Sequence, residues 1–158
     1  MIEIKAFTMD DYYSIIDLWK RAGINVGSSD TKEEIKRMLN RNPNLFLVGK
    51  VHEKIIAVVL GGYDGRRGYV HHLAVDPAYQ HKGYGKKLMD ELMLRFKQMK
   101  VHKIHLFIEK YNHSVINFYK KLGWEIRDDL IMISFIPDET LYKWKLCVDF
   151  SEPLINVI

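Results

Sequence analysis

Between residues 69–75, a run of strand-forming residues, and residues 86–99, where Leu88, Met89, Leu92, Met93, Phe96 and Met99 recur at helical spacing, lies the loop Gln80-His81-Lys82-Gly83-Tyr84-Gly85. No other segment constrains the chain as much. A strand, a glycine-rich turn and a helix in that order aim unpaired backbone N–H groups and the positive end of the helix dipole at one point. An anion belongs there. Gly83 and Gly85 permit conformations and close approaches that a side chain would block, and Lys82, Lys86 and Lys87 add positive charge beside them. A pyrophosphate fits this description. Two common nucleotide motifs do not. Leu88 stands where a dinucleotide fingerprint has its third glycine, and no Lys-Ser or Lys-Thr completes a phosphate-binding P-loop.

The flanking sequence predicts further strands and helices. Residues 2–6 alternate apolar and charged as a half-buried strand does, and Thr8 with Asp11 resembles a capping box for a helix reaching Arg21. Thr31 with Glu34 opens a shorter helix with Ile35, Met38 and Leu39 on one face, ended by Asn42-Pro43. Residues 45–51 and 55–60 are β-rich runs on either side of His52-Glu53-Lys54, which reads as a hairpin. Gly61-Gly62 is expected to interrupt the second run, and Asp64-Gly65 to turn the chain into the strand 69–75. Three strands joined by tight turns form an antiparallel meander. Further on, residues 103–109 alternate as a strand, Asn112 caps a helix through Leu122, and Gly123 suits its left-handed exit. Residues 131–136 are expected to form a final strand.

At 158 residues and 47% hydrophobic, the chain can build one core and is too short for two comfortable ones. The net charge of +4, from 24 Lys and Arg against 20 Asp and Glu, suits any anionic ligand and singles out no nucleic acid. The lysines gather near the glycine loop without a recognition motif, so a nucleic-acid-binding role is set aside. No stretch approaches the ~20 apolar residues that span a bilayer. Cys147 has no internal disulfide partner, and the first residues mix acids and a lysine among apolar ones, so the expected location is a reducing cytoplasm.

A second element lies downstream of the loop: Asn112, then Phe118-Tyr119 and Gly123-Trp124. The loop, which resembles the Q/R-x-x-G-x-G/A signature, and this element, which resembles N-x(5)-F-Y-x-x-x-G-F/W with Trp124 in place of the commoner Phe, together resemble the GNAT N-acetyltransferase superfamily. The resemblance covers about residues 2–136. It implies an α+β fold of three α/β/α layers around a mixed, mostly antiparallel sheet whose fourth and fifth strands splay apart. It implies one domain over 1–136, with 137–158 as an extension packed on the same domain or on a partner subunit. It also implies acetyl-CoA as co-substrate and no metal. By similarity, the backbone N–H groups of Gln80, His81, Lys82, Gly83, Tyr84, Gly85 and Lys86 cradle the pyrophosphate. The segment Leu73, Ala74 and Val75 meets the pantetheine arm, Asn112 contacts it, and Tyr119 stands beside the thioester sulfur.

The chemistry asks for a base, because an alkylamine with a pKa of about 10.4 must lose a proton before it attacks the thioester. His71 and His72 lie on the strand beside the loop, and simple alternation sends them to opposite faces, with His71 sharing a face with Tyr69 and Leu73. His71 is the preferred base. Tyr69 aligns with a position where some relatives place a catalytic glutamate, so that acid is missing and a water chain is an alternative. The Leu73 N–H would hold the oxyanion, and Tyr119 would protonate the thiolate. Structural duties also explain these residues: a half-buried Tyr119, a capping Asn112, and histidines tolerated on a strand. Because the fourth strand carries no obvious carboxylate base, a noncatalytic acyl-CoA-binding or regulatory module stands as an alternative. The acceptor is left open among small amines, protein N-termini and lysines. A small-molecule amine is favoured because residues 125–133 lack the tyrosine pair of relatives that acetylate ribosomal protein N-termini. The apolar tail leaves a homodimer open.

Overall fold

A computed structural model describes residues 1–142 of the chain. The capping signals act as read. Strand β1 (Glu3–Ala6) is followed by Thr8, whose N–H donates to Asp11 Oδ2 at 3.4 Å across a single 3-10 turn that leads into α1 (Tyr12–Arg21). Thr31 Oγ1 accepts from the Glu34 N–H at 3.3 Å and opens α2 (Lys32–Arg41). Such a cap stabilises a helix by about 1 kcal/mol. Strands β2 (Phe46–Val51) and β3 (Lys54–Tyr63) are joined through His52 and Glu53, with φ of 47° and 63°, the left-handed pair a tight hairpin turn needs.

Gly61-Gly62, expected to interrupt the second run, lies inside β3 instead. A Cβ on Gly61 would fall 2.8 Å from Leu92 Cδ1 and 2.9 Å from the Leu45 carbonyl oxygen. Glycine lets a helix close onto the strand here, so it marks a close approach and not a turn. The chain continues through β4 (Gly68–Val75), α3 (Tyr84–Gln98), β5 (Ile104–Leu106) and α4 (His113–Lys121).

The five strands lie in the order β1-β2-β3-β4-β5. All neighbours are antiparallel except β4 and β5, which are parallel and pair only at Gly68–Ile104, Tyr69–His105 and Val70–Leu106. Strand β4 then continues to Val75 while β5 stops at Leu106, so the two part where the expected splay lies. The strand anticipated at 103–109 is correspondingly reduced to three residues.

Two apolar layers sandwich the sheet. On one face α1 and α2 bury Ile15, Leu18, Trp19 and Ile35 against Phe46, Val48, Val58, Leu60 and Ala74. On the other, α3 and α4 bury Leu88, Leu92, Phe96, Val115 and Tyr119 against Leu47, Val59, Val70, Leu73 and Val75. Each fully buried large side chain contributes about 1.5–3 kcal/mol of transfer free energy, so both faces hold β4 firmly. This is the α+β three-layer fold expected from the sequence.

One element does not form. Residues 131–136 are rich in strand-forming apolar residues but pair with none of the described strands, and Ile131, Ile133 and Phe135 are 87–90% exposed. Strand propensity reports fitness for a pleated surface with a neighbour, and no described neighbour is present. Beyond them, Asp138 organises a turn by accepting from the Thr140 N–H at 2.9 Å. Trp144, Cys147 and the remainder of the extension lie outside the described residues.

Candidate active site

The glycine loop is built mainly of backbone. Asp76 closes β4 and caps a 3-10 turn, Pro77–Tyr79, by accepting from the Ala78 N–H at 3.0 Å. Its carboxylate is buried, and burial works to raise its pKa. The Arg21 guanidinium, the Ala78 N–H and Lys54 outweigh that and hold it below the usual carboxylate range. Asp76 thereby ties the loop entrance to α1. The sequence carries a signal for its capping role, an Asp-Pro pair opening a helical turn, but none for its distant cations.

His81 and Gly83 adopt φ of 59° and 80°, and α3 starts at Tyr84. Lys87 is the first residue whose N–H reaches back, to the Gly83 carbonyl at 3.1 Å. The N–H groups of His81, Lys82, Gly83, Tyr84, Gly85 and Lys86 have no acceptor among the described residues. A Cβ on Gly83 would meet nothing within 4 Å, so the outer side of the loop is open. Left-handed corners, successive free N–H groups and a helix N-terminus are the backbone features that suit an anion such as a pyrophosphate. The side chains are partly committed elsewhere. Gln80 donates to the Val75 carbonyl at 3.1 Å, Lys82 to the Ala78 carbonyl at 3.1 Å, and Lys86 pairs with Asp90 at 2.6 Å.

Strand β4 departs from simple alternation. Val58 faces Ala74 and Leu60 faces His71, so two residues of β4, His72 and Leu73, oppose the single Val59 of β3. This is a β-bulge, and His72 sits in it at φ 48°. The expectation that His71 and His72 point to opposite faces is therefore overturned, because the extra residue resets the pleat. His71 opposes Leu60 of the α1/α2 layer, and His72 packs edge-on against Trp19 of the same layer at 4.8 Å between ring centroids. Tyr69 stays beside His71, their rings stacked at 6.4 Å, whereas Leu73 belongs to the opposite layer.

The same face gathers residues that sequence reading missed. Asp30, in the connection between α1 and α2, is buried and reaches His72 Nε2 with Oδ1 at 3.2 Å. Its Oδ2 accepts from the Gly27 N–H at 2.8 Å, and its carbonyl accepts from the Tyr12 hydroxyl at 2.8 Å. Burial works to raise the Asp30 carboxyl; the hydrogen bonds from His72 and Gly27 and the charges of the two histidines outweigh it, so the group lies below its usual range. His71 is exposed at its surface yet surrounded by protein. That loss of hydration, reinforced by His72 and opposed by Asp30, pushes its imidazole below the ordinary histidine pKa. Fully buried Trp19 presents an Nε1–H with no partner among the described residues. The sequence carries no local sign of this cluster, whose members lie up to 60 positions apart, from Tyr12 to His72.

Across the sheet, Tyr119 of α4 is buried among Val70, Leu73, Val75 and Met89, with Trp124 against its ring at 5.5 Å. Burial raises the pKa of its phenol, which stays protonated. No described group hydrogen-bonds its hydroxyl. Asn112 caps α4, its Oδ1 accepting from the Val115 N–H at 3.4 Å.

These features can be set beside known proteins. The family model described as "Acetyltransferase (GNAT) family" matches residues 11–124. An acetyltransferase of Pectobacterium atrosepticum is 37% identical over 127 residues, covering 80% of this chain and 90% of that one. One of Sodalis glossinidius is 34% identical over 132 residues, covering 84% and 93%. The crystal structure of the PaiA N-acetyltransferase from Thermoplasma acidophilum in complex with coenzyme A superposes with a TM-score of 0.72, at 23% identity over 80% or more of both chains (81% and 92%). The strand, loop and helix that present the open N–H groups fall inside the matched residues, and the chain belongs to the GNAT family of acetyltransferases, which use acetyl-CoA.

Proposed function

We propose that the protein transfers the acetyl group of acetyl-CoA to a primary amine of a small molecule by direct attack of the amine on the thioester. One observation carries this reading: where β4 and β5 part, imidazoles stand on one face of the sheet and a protonated phenol on the other. A donor arm entering the gap would meet both. The loop N–H groups of residues 80–86 would hold the pyrophosphate, and Leu73, Ala74 and Val75 would line the arm, with Asn112 at the start of α4 beside it. The thioester supplies an activated acetyl group.

The chain's own residues would then manage protons. The β4 histidine pair would take the amine proton, and a base must be neutral to do so; the depressed pKa of His71 keeps it neutral at pH 7. The Leu73 N–H, within the bulge, would hold the oxyanion. Tyr119, its acidity lowered by burial, would donate a hydrogen bond to the departing sulfur, and the thiolate is itself a fair leaving group with a pKa near ~8.5. A small acceptor is preferred because residues 125–133 carry no tyrosine pair of the kind described above. A cytoplasmic location fits the lone Cys147.

The test is a turnover screen of acetyl-CoA against polyamines, amino acids, aminoglycosides and peptides, read as release of free thiol. Thiol release with a small amine above that with every peptide is the expected result. Turnover confined to peptides would move the acceptor to protein. Binding of acetyl-CoA with no turnover on any amine would favour a noncatalytic module.

A further inference from the structure

The bulge residue His72 holds a left-handed backbone conformation that is strained for a non-glycine residue, and such strain persists where the surroundings over-determine it. The surroundings here are specific. Asp30 binds Nε2, Trp19 packs against the ring, and Asp30 is itself anchored through its second oxygen by Gly27 and through its carbonyl by Tyr12. A carboxylate only accepts hydrogen bonds, so Nε2 carries the proton and Nδ1 keeps its lone pair. Among the described residues Nδ1 has no partner. About a third of the side chain, 32%, is exposed, so that lone pair is not sealed in the core. The unpartnered Trp19 N–H beside the ring is a further departure from a stability-optimised core, and such departures concentrate at functional sites.

We propose that His72 is the imidazole that takes the proton from the attacking amine, and that Asp30 is the positioning residue that fixes its tautomer and orientation through Nε2. The assignment rests on the acetyltransferase reading and narrows the base within the histidine pair. An imidazole with one nitrogen fixed by a buried carboxylate and the other free is the base-and-orienter arrangement used to activate nucleophiles on unrelated folds. The step balances. The ammonium loses one proton to solvent-exposed His71 or to water before attack. The N–C bond then forms, His72 Nδ1 takes the second proton from the attacking nitrogen, the C–S bond breaks, and the thiolate regains a proton from solvent by way of Tyr119. The charge on His72 is matched by Asp30; the titratable groups beside this pair among the described residues are His71, next to it on β4, and Tyr12 of α1, whose hydroxyl bonds the Asp30 carbonyl.

The experiment compares wild type, His72→Gln, Asp30→Asn and His71→Gln on the best amine of the turnover screen. Alongside kcat it follows acetyl-CoA affinity, the acid limb of the pH profile and nitrogen-15 shifts of the imidazoles. His72→Gln should lower kcat by about a hundredfold or more, the usual weight of a general base. Asp30→Asn should lower it by a smaller factor, His71→Gln should cost less than His72→Gln, and acetyl-CoA affinity should hold in all three. In the wild type, His72 should show Nδ1 unprotonated, and Asp30→Asn should mix the two tautomers. A wild type that acetylates no amine overturns the acetyltransferase reading and this assignment with it. A wild type that turns over while His72→Gln keeps its kcat, or while His71→Gln is the slower variant, overturns the assignment alone. If Asp30→Asn lowers only the melting temperature, leaving tautomer and pH profile unchanged, Asp30 is merely structural and the positioning role falls.

Discussion

On the function proposed above, the donor side and the acceptor side of this site are made of different materials. The donor side is backbone: successive N–H groups from His81 to Lys86, a left-handed glycine, and the first turn of α3. The acceptor side is side chain: Tyr12, Trp19, Asp30, His71 and His72, brought together from α1, the α1–α2 connection and a bulged strand. A backbone cradle depends on local conformation and tolerates many side chains around it. A side-chain cluster depends on each member and on the register that aims it. Substitutions should therefore separate the two, with donor-side changes acting on binding and acceptor-side changes on turnover.

After His72→Gln, the largest separation should come from Gly83→Val. The residue sits at φ 80°, where a β-branched side chain carries strain, and its Cβ would project into the open side of the loop. A cost of about 1–2 kcal/mol in the loop conformation that binding requires predicts acetyl-CoA binding about five- to thirtyfold weaker, measured by calorimetry. A smaller effect is expected for Tyr119→Phe, which removes one hydrogen-bond donor from a pocket that keeps its shape. A loss of about 1 kcal/mol corresponds to a kcat roughly fivefold lower with acetyl-CoA affinity unchanged. A change in affinity instead would place Tyr119 among the binding groups.

The smallest effect concerns stability against pH. The Asp30 carboxyl lies below its ordinary value of 3.8 in the folded chain, so it contributes stability above that pH which is lost as pH falls through the folded pKa. Asp30→Asn has no such carboxyl. The difference in unfolding free energy between wild type and variant should shrink on acidification below about pH 4, and a difference that stays flat would show that Asp30 is not held ionised.

The same division governs what the sequence could reveal. Capping pairs such as Thr31 with Glu34, the His52-Glu53 turn and the glycine loop act over a few residues, so their spacing discloses them. The bulge at His72 arises from pairing with β3, and no residue type announces it; alternation alone therefore placed the two histidines on opposite faces. Asp30 sits in a short connection next to a helix cap, and only its fold partner 42 positions away gives it meaning. Gly61 read as a turn because glycine marks both turns and close approaches, and only the packing of Leu92 distinguishes them. Residues 131–136 carry the composition of a strand, but composition supplies no partner.

The distinction between the two sides is tested most directly by measuring acetyl-CoA affinity and kcat together for Gly83→Val and His72→Gln. The first variant should lose affinity for acetyl-CoA, and the second should keep wild-type affinity while losing turnover. If both lose affinity in parallel, or if His72→Gln binds poorly and turns over normally once saturated, the two sides are not the separate devices described here.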